Sequence, residues 1–110
     1  MNNIYLLYGE EKYDLNKFIE DIKKKFERLE VGVNLFNLNL ENIDELETIL
    51  DTVTFFGSSK LIIIQNTKLK FDIDIVLANI NTDNTILIVE DTVDKRTSEF
   101  KKMDAKQIVN

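Results

Sequence analysis

The chain has 110 residues and a formal net charge of −6 at pH 7, and it contains no cysteine, histidine or proline. This length is typical of one domain, so we predict a single domain over residues 1–110. Without cysteine the chain has no disulfides or thiolate chemistry, and without histidine it lacks the commonest general base and transition-metal ligand. The negative charge argues against a broad, sequence-independent DNA-binding surface.

No segment of the sequence indicates a membrane or an export route. No apolar run approaches the roughly 20 residues that are needed to cross a bilayer. The N-terminus, Met-Asn-Asn followed by an apolar run, lacks the basic region of a signal peptide. We therefore expect a cytoplasmic protein without membrane contact.

Apolar patterns in the first third of the chain predict strand, helix and strand. Ile4 to Tyr8 is a continuous apolar run, typical of a strand that is buried on both faces. A helix is predicted from Leu15, with Asp14 as its N-cap. Its apolar positions have the spacing of one helix face: Leu15, Phe18, Ile19, Ile22, Phe26 and Leu29. Val33 to Leu40 alternates and predicts an edge strand with one polar face.

The middle of the chain continues the alternation. Asn42, with Glu45 three residues later, resembles a capping box that opens a second helix. The apolar face of this helix is Ile43, Leu46, Ile49, Leu50 and Val53. Leu61 to Ile64 predicts a second fully buried strand. Asp72 is expected to cap a third helix, and Ile86 to Val89 predicts a third buried strand. The apolar face of the third helix is Ile73, Val76, Leu77 and Ile80.

The end of the chain predicts a polar helix over residues 94–102, anchored by Phe100 and Met103, and a further strand from Gln107. Because that strand is cut short, we expect a fragment of a longer protein. Alternating strands and helices predict an α/β fold of three layers, with a parallel sheet covered by helices on both faces. Ligands of such sheets bind beyond the carboxyl ends of strands: Gly9-Glu10-Glu11, Gln65-Asn66 and Glu90-Asp91.

The chemistry of nucleotide hydrolysis is missing from these strand ends. A P-loop needs a second glycine and a Lys-Ser/Thr pair, whereas Glu10 and Glu11 follow Gly9 here. Gln65-Asn66 stands where an ATP-hydrolysing protein would need acids to hold magnesium. A phospho-acceptor receiver domain is also excluded, because it needs an aspartate at the end of this strand. Acidic residues in loops are usually only solvated, so we predict no metal site from Glu10, Glu11, Glu90 and Asp91, and no cofactor.

Two adjacent phenylalanines, Phe55 and Phe56, precede Gly57 between the second helix and the following strand. In one interpretation both rings belong to the core, and Gly57 takes the left-handed geometry of a turn. In the other, one ring projects and binds a protein, because adjacent residues on a turn point in different directions and exposed aromatic side chains are typical hot spots. The residues alone leave both interpretations open.

Four segments resemble the N-terminal domain of the delta subunit family of bacterial DNA polymerase III, the clamp-loader subunit that opens the sliding clamp. They are Ile-Tyr-Leu-Leu-Tyr-Gly-Glu-Glu at 4–11, Thr-Phe-Phe-Gly-Ser-Ser-Lys-Leu-Ile-Ile-Ile at 54–64, Asn-Thr-Ile-Leu-Ile at 84–88 and Asp-Lys-Arg at 94–96. Each motif is weak alone, but together they span nearly the whole chain in family order. The resemblance implies an AAA+-like module with strand order 5-1-4-3-2 that has lost its ATP site.

The resemblance also implies a partner and a site. In the family, a hydrophobic pair before the third strand inserts into a pocket of the beta sliding clamp; by position the pair is Phe55 and Phe56, with Thr54 and Gly57 shaping the loop. Phe56 is the safer assignment of the two, because the first member is often an aliphatic or another small residue in related proteins. The domain would belong to a DNA-directed DNA polymerase holoenzyme, without catalytic residues of its own and with only indirect DNA contact.

The family protein continues into a helical lid and a collar domain that assembles with other clamp-loader subunits. Both are absent here, so the chain is expected to bind the clamp without loading it alone. Two alternatives remain at this point. One is a nucleotide-binding regulator that uses the strand-end crevice, and the other is a purely structural α/β domain with both rings buried.

Overall fold

The computed structural model describes residues 3–9, 12–29, 34–51, 60–80 and 82–106, leaving aside the side chains of residues 12, 13, 26–29 and 34. Strands and helices alternate throughout these ranges. The strands are β1 (Ile4–Tyr8), β2 (Asn34–Leu38), β3 (Lys60–Gln65) and β4 (Thr85–Glu90). The helices are α1 (Lys12–Leu29), α2 (Leu46–Asp51), α3 (Ile73–Leu77) and α4 (Ser98–Ala105), and a 3₁₀ turn, Ile43–Glu45, precedes α2.

The four described strands form one parallel sheet in the order β1-β4-β3-β2. Leu6 and Ile64 both pair with Ile88, so β4 lies between β1 and β3. The sheet has one strand fewer than the predicted order 5-1-4-3-2, and its four strands follow that order. The fifth strand was predicted from Gln107, which lies outside the described residues. The predicted parallel α/β fold is confirmed.

The core has two layers, one on each face of the sheet. One layer joins the sheet to α2, α3 and α4 through the buried side chains of Leu46, Val76, Phe100 and Met103. The other joins the opposite face to α1 through Ile19. Because successive side chains of a strand point to opposite faces, a strand inside both layers must be apolar at every position. This explains the unbroken apolar runs of β3 and β4.

The first helix differs from its prediction at its start and on its face. It begins at Lys12, so Asp14 is not the N-cap. Asp14 lies within the first turn, where its negative charge interacts favourably with the helix dipole. Ile19 is buried, whereas Phe18 is 36% exposed and meets Tyr5 edge-on with ring centroids 6.2 Å apart. Phe18 therefore lies at the margin of the buried stripe. None of the helices in the described ranges has the length and apolarity that crossing a bilayer requires.

The turn after β2 also differs from its prediction. The strand ends at Leu38, and Leu40 lies in the turn with 51% of its surface exposed. Asn42 occupies the N-cap position of the 3₁₀ turn, but its side chain makes no capping hydrogen bond. Its Oδ1 accepts from the backbone N–H of Asn39 (2.7 Å), and its amide donates to the carbonyl of Asn37 (3.3 Å). The predicted capping box is therefore wrong. Asparagine can equally bond a local turn, and here the turn competes successfully.

The last two helices have the caps that short helices need. Asp72 accepts from the backbone N–H of Asp74 (2.9 Å), which confirms the predicted cap of α3. Thr97 accepts from the N–H of Phe100 (3.2 Å) and caps α4. The exposed carboxylate of Asp94 accepts from Arg96 Nε (3.0 Å) and Nη2 (3.1 Å), in the turn that leads into α4. The Asp-Lys-Arg segment of the family resemblance thus has a local structural role.

The Arg96 side chain lowers the pKa of the Asp94 carboxyl group, chiefly by hydrogen bonding. We expect Arg96→Gln to raise that pKa towards its ordinary value, as measured by NMR titration, while Lys95→Gln leaves it nearly unchanged. Because the pKa of Asp94 is lowered in the folded state, its interaction with Arg96 stabilises the fold fully at pH values above the ordinary aspartate pKa. This stabilisation is lost as the pH falls through the folded-state pKa. An unchanged pKa in the Arg96 variant would contradict this assignment.

Candidate functional site

The carboxyl ends of β1, β3 and β4 meet at one edge of the sheet, as predicted. The N–H of Gly9 donates to the carbonyl of Asp91 (3.2 Å), and the N–H of Asn66 donates to the carbonyl of Val89 (3.0 Å). Gly9 has a φ of 142°, a conformation that L side chains rarely adopt, so glycine is favoured there. A crevice of about 140 Å³ opens beside these strand ends. Its described lining is Leu15, Asn16, Gln65, Asn66, Val89 and Asp91.

The crevice is small and its lining suits a polyphosphate poorly. Its volume of about 140 Å³ lies below the roughly 300–1,000 Å³ that is typical of small-molecule sites. Among the described lining residues the charged side chain is the exposed acid Asp91, and no lysine or arginine accompanies it. Glu10 and Glu11, which the sequence places after β1, lie outside the described residues. The arrangement offers no cationic partner for phosphate within the described lining.

We expect ATP with Mg²⁺ to leave the thermal stability of the chain nearly unchanged. At about 1 mM nucleotide, the melting temperature should rise by less than about 1 °C relative to Mg²⁺ alone, because only a ligand that binds the folded state stabilises it. Differential scanning fluorimetry measures this directly. A rise of several degrees would instead support a nucleotide-binding regulator.

Glu90 has a structural role that the sequence did not indicate. It ends β4, is only 2% exposed, and accepts from the N–H of Thr67 (3.1 Å), the hydroxyl of Thr67 (3.1 Å) and the N–H of Leu69 (3.0 Å). These bonds direct its carboxylate towards the loop after β3. Within the described ranges no three acids, histidines or cysteines lie close enough to hold a metal ion. Glu90 therefore holds the loop after β3 in place through hydrogen bonds.

The loop that Glu90 binds has an unusual backbone. Asn66, Lys68 and Leu69 have φ values of 56°, 55° and 60°, in the left-handed region. Residues held there cost on the order of 1–3 kcal/mol each and persist only where the surroundings enforce them. Leu69 is buried against the core, and its N–H is bound by Glu90. Burial and the carboxylate together hold this loop over the sheet edge.

The predicted protein-binding residues, Thr54, Phe55, Phe56 and Gly57, lie outside the described residues. The structure does describe both flanks of their segment, residues 52–59, because α2 ends at Asp51 and β3 begins at Lys60. Since β3 begins at the amino-terminal edge of the parallel sheet, this flank lies at the edge opposite the strand-end crevice. The start of β3 and the crevice therefore lie at opposite edges of the sheet.

Lys60 is buried at this flank. It is 3% exposed, and its Nζ donates to the carbonyl of Ile49 (2.6 Å) and, at longer range, to that of Leu50 (3.4 Å). Burial lowers the pKa of its ammonium group, and the Asp51 carboxylate opposes part of that shift. Sequence reasoning missed this role, because lysine is normally exposed and nothing local distinguishes Lys60.

Comparison with known proteins places these features in a family. Residues 5–110 match the family described as DNA polymerase III, delta subunit. Among solved structures, the fold is similar to that of the Bacillus subtilis DNA clamp loader delta protein, with a TM-score of 0.72 and 19% sequence identity. This similarity covers 97% of the chain and 37% of the B. subtilis chain, and a search of curated proteins found no match. Because the family match extends over almost all of its residues, the chain belongs to the family of DNA polymerase III delta subunits.

Proposed function

We propose that this domain binds the sliding clamp of a bacterial replicative polymerase and helps to open it as part of a clamp loader. The family match over residues 5–110 carries the proposal. The fold shared with a clamp loader delta protein supports it. Contacts with the other loader subunits are proposed mainly for lid and collar domains of the longer family protein, and contact with DNA is proposed to be indirect.

Phe55 and Phe56 are the proposed clamp-binding residues, with Thr54 and Gly57 shaping their loop. Burying a phenylalanine side chain contributes roughly 1.5–3 kcal/mol, and aromatic anchors in a partner's pocket are typical of binding hot spots. Their segment connects α2, which ends at Asp51, with β3, which begins at Lys60.

The domain favours clamp opening only if it binds one state of the clamp more tightly than the other. A ligand shifts a conformational equilibrium by its difference in affinity for the two states. A preference of about 3 kcal/mol for the open or strained clamp would shift that equilibrium by on the order of 100-fold. Insertion of the phenylalanine pair into a pocket that changes shape on opening would supply such a difference.

The energy of ATP is proposed to enter through sibling subunits. The chain lacks the P-loop pattern, and Gln65 at the end of β3 and Asn66 directly after it stand in place of magnesium-binding acids. Among the described residues, those that line the crevice add no cation. These observations support a domain without hydrolysis or catalytic residues of its own.

The proposal is tested by titrating the chain against the sliding clamp of the same organism. Isothermal titration calorimetry should show saturable binding, with a negative heat-capacity change from the burial of apolar surface. Far-ultraviolet circular dichroism and a cooperative melting transition establish that the chain is folded in the same buffer. A folded chain that shows no binding would overturn the proposal.

A further inference from the structure

We propose that Lys60 is a positioning residue that fastens the two flanks of segment 52–59 to each other. Lys60 enters β3 directly after the segment, and its ammonium group reaches back to the helix directly before the segment. The consequence for clamp binding rests on the function proposed above. The fastening itself rests on described contacts alone.

The acceptors of Lys60 are backbone carbonyls at the described end of α2. Ile49 and Leu50 lie in the last described turn of this helix. Lys60 donates to both carbonyls, and a positive charge is also favourable at the negative end of the helix dipole. The first residue of the next strand thus bonds the last described turn of α2.

The bond closes a short loop of chain. Lys60 lies 11 residues beyond Ile49, so one hydrogen bond joins the two ends of the connection between α2 and β3. Joining the ends of a connection restricts the conformations that are open to the residues between them. When those residues bind a partner, less conformational freedom remains to be lost, and affinity increases.

Packing alone does not explain a lysine at this position. A buried ammonium group is costly to desolvate, and burial indeed lowers its pKa here. Apolar side chains of similar volume often replace buried charges without loss of stability. A lysine that spans two flanks of one segment has a role that methionine could not fill, because methionine donates no hydrogen bond.

The test compares Lys60→Met, which keeps a long apolar stem, with Lys60→Arg, which keeps a cation and its donors. Lys101→Met changes an exposed lysine on α4 and serves as the matched control. The first readout is the initial rate of chymotryptic cleavage of the free chain, resolved by mass spectrometry. Cleavage after Phe55 or Phe56 reports on the segment, and cleavage after the buried Phe100 reports on global unfolding.

We expect Lys60→Met to raise cleavage at Phe55 and Phe56 by about tenfold relative to cleavage at Phe100. It should also weaken clamp binding by about five- to tenfold, since more freedom is lost on binding. Lys60→Arg should restore both values to within about twofold, and Lys101→Met should change neither. With Phe55 and Phe56 already replaced by alanine, Lys60→Met should weaken clamp binding no further, because the two changes act through one segment.

Each failure has its own signature. If Lys60→Met accelerates cleavage equally at Phe55, Phe56 and Phe100, Lys60 supports only global stability. This result overturns the proposal that Lys60 joins the two flanks of the segment. If Lys60→Met accelerates cleavage only at Phe55 and Phe56 and clamp affinity is unchanged, the role of Lys60 in binding is overturned. The proposed function is then unaffected. If the parent chain does not bind the clamp, the proposed function and that role fail together, while the cleavage pattern still decides whether Lys60 fastens the segment.

Discussion

Replacing Phe55 and Phe56 together by alanine should weaken binding to the sliding clamp by about 30-fold or more, a loss of at least ~2 kcal/mol. The expected reason is the loss of two aromatic anchors from a desolvated pocket, where truncation has its largest effect. Calorimetric titration of parent and variant under the same conditions measures the difference. Thermal unfolding of both proteins must accompany it.

A surface aromatic elsewhere provides the matched control. Phe18 on α1 is 36% exposed, so Phe18→Ala removes the same side chain from a different face. We expect that variant to bind the clamp like the parent. Of the two single changes in the segment, Phe56→Ala should have the larger effect and Phe55→Ala the smaller.

Two results would contradict the site assignment. Equal affinity of the Phe55→Ala/Phe56→Ala variant and the parent would mean that the clamp contacts another surface. A loss of stability of about 3 kcal/mol or more would show that both rings pack in the core, as large-to-small core substitutions do. In that case the domain would be structural at this segment, and binding would have to be explained elsewhere.

Glu90→Gln should destabilise the fold by about 3 kcal/mol, which lowers the melting temperature by on the order of 10 °C or more. The Glu90 carboxylate accepts from two backbone N–H groups and one hydroxyl, of Thr67 and Leu69. All three donors bond Oε1, and the Thr67 N–H also reaches Oε2 (3.1 Å), so glutamine would keep one acceptor oxygen but place its amide nitrogen against the Thr67 N–H. Hydrogen bonds to a charged group are worth more than neutral ones, and the contact between two N–H donors adds to the loss.

The control for Glu90 is an exposed glutamate. Glu41 lies in the turn after β2, so Glu41→Gln makes the same chemical change without burial and should alter stability by less than about 0.5 kcal/mol. Urea unfolding of the three proteins gives the free energies. If Glu90→Gln costs less than about 1 kcal/mol, the loop at residues 66–69 is held by burial of Leu69 and not by the carboxylate.

Hydrogen exchange can locate the effect of the Glu90 change. The amides of Thr67 and Leu69 should lose protection in Glu90→Gln more than the amides of β3 do, because their acceptor changes from a carboxylate to a neutral amide. Uniform loss of protection would indicate only global destabilisation.

Much of the architecture could be predicted from the order of the residues. Apolar runs without alternation, at Ile4–Tyr8 and in β3 and β4, indicated strands covered on both faces, and the structure places them so. Asp72 was recognised as a cap because its bond is local, two residues along the chain. Local signals of this kind depend on residues that are close together in the sequence. The absence of a P-loop pattern and of acids after β3 can be recognised in the same way.

Local signals misled where two local structures compete for the same residues. Asn42 carries the signature of a helix cap, yet its side chain bonds Asn37 and Asn39 in the turn after β2. Phe18 has the spacing of the buried face of α1, yet it lies at the margin of that face and stays partly exposed. For Asn42 both competing structures are local, and the pattern of residues does not say which of them is lower in free energy. For Phe18 the outcome depends on the sheet against which α1 packs, including Tyr5 in β1.

By itself the sequence determined the parallel α/β class, the absence of a P-loop pattern and the family resemblance, because these depend on composition, periodicity and motif. Only the tertiary structure decided what Glu90 and Lys60 do. Glu90 binds residues more than twenty positions away, and Lys60 reaches carbonyls of the preceding helix. A charged side chain is assigned to solvent until the fold shows which donors or acceptors surround it, since burial of a charge is favourable only with such partners.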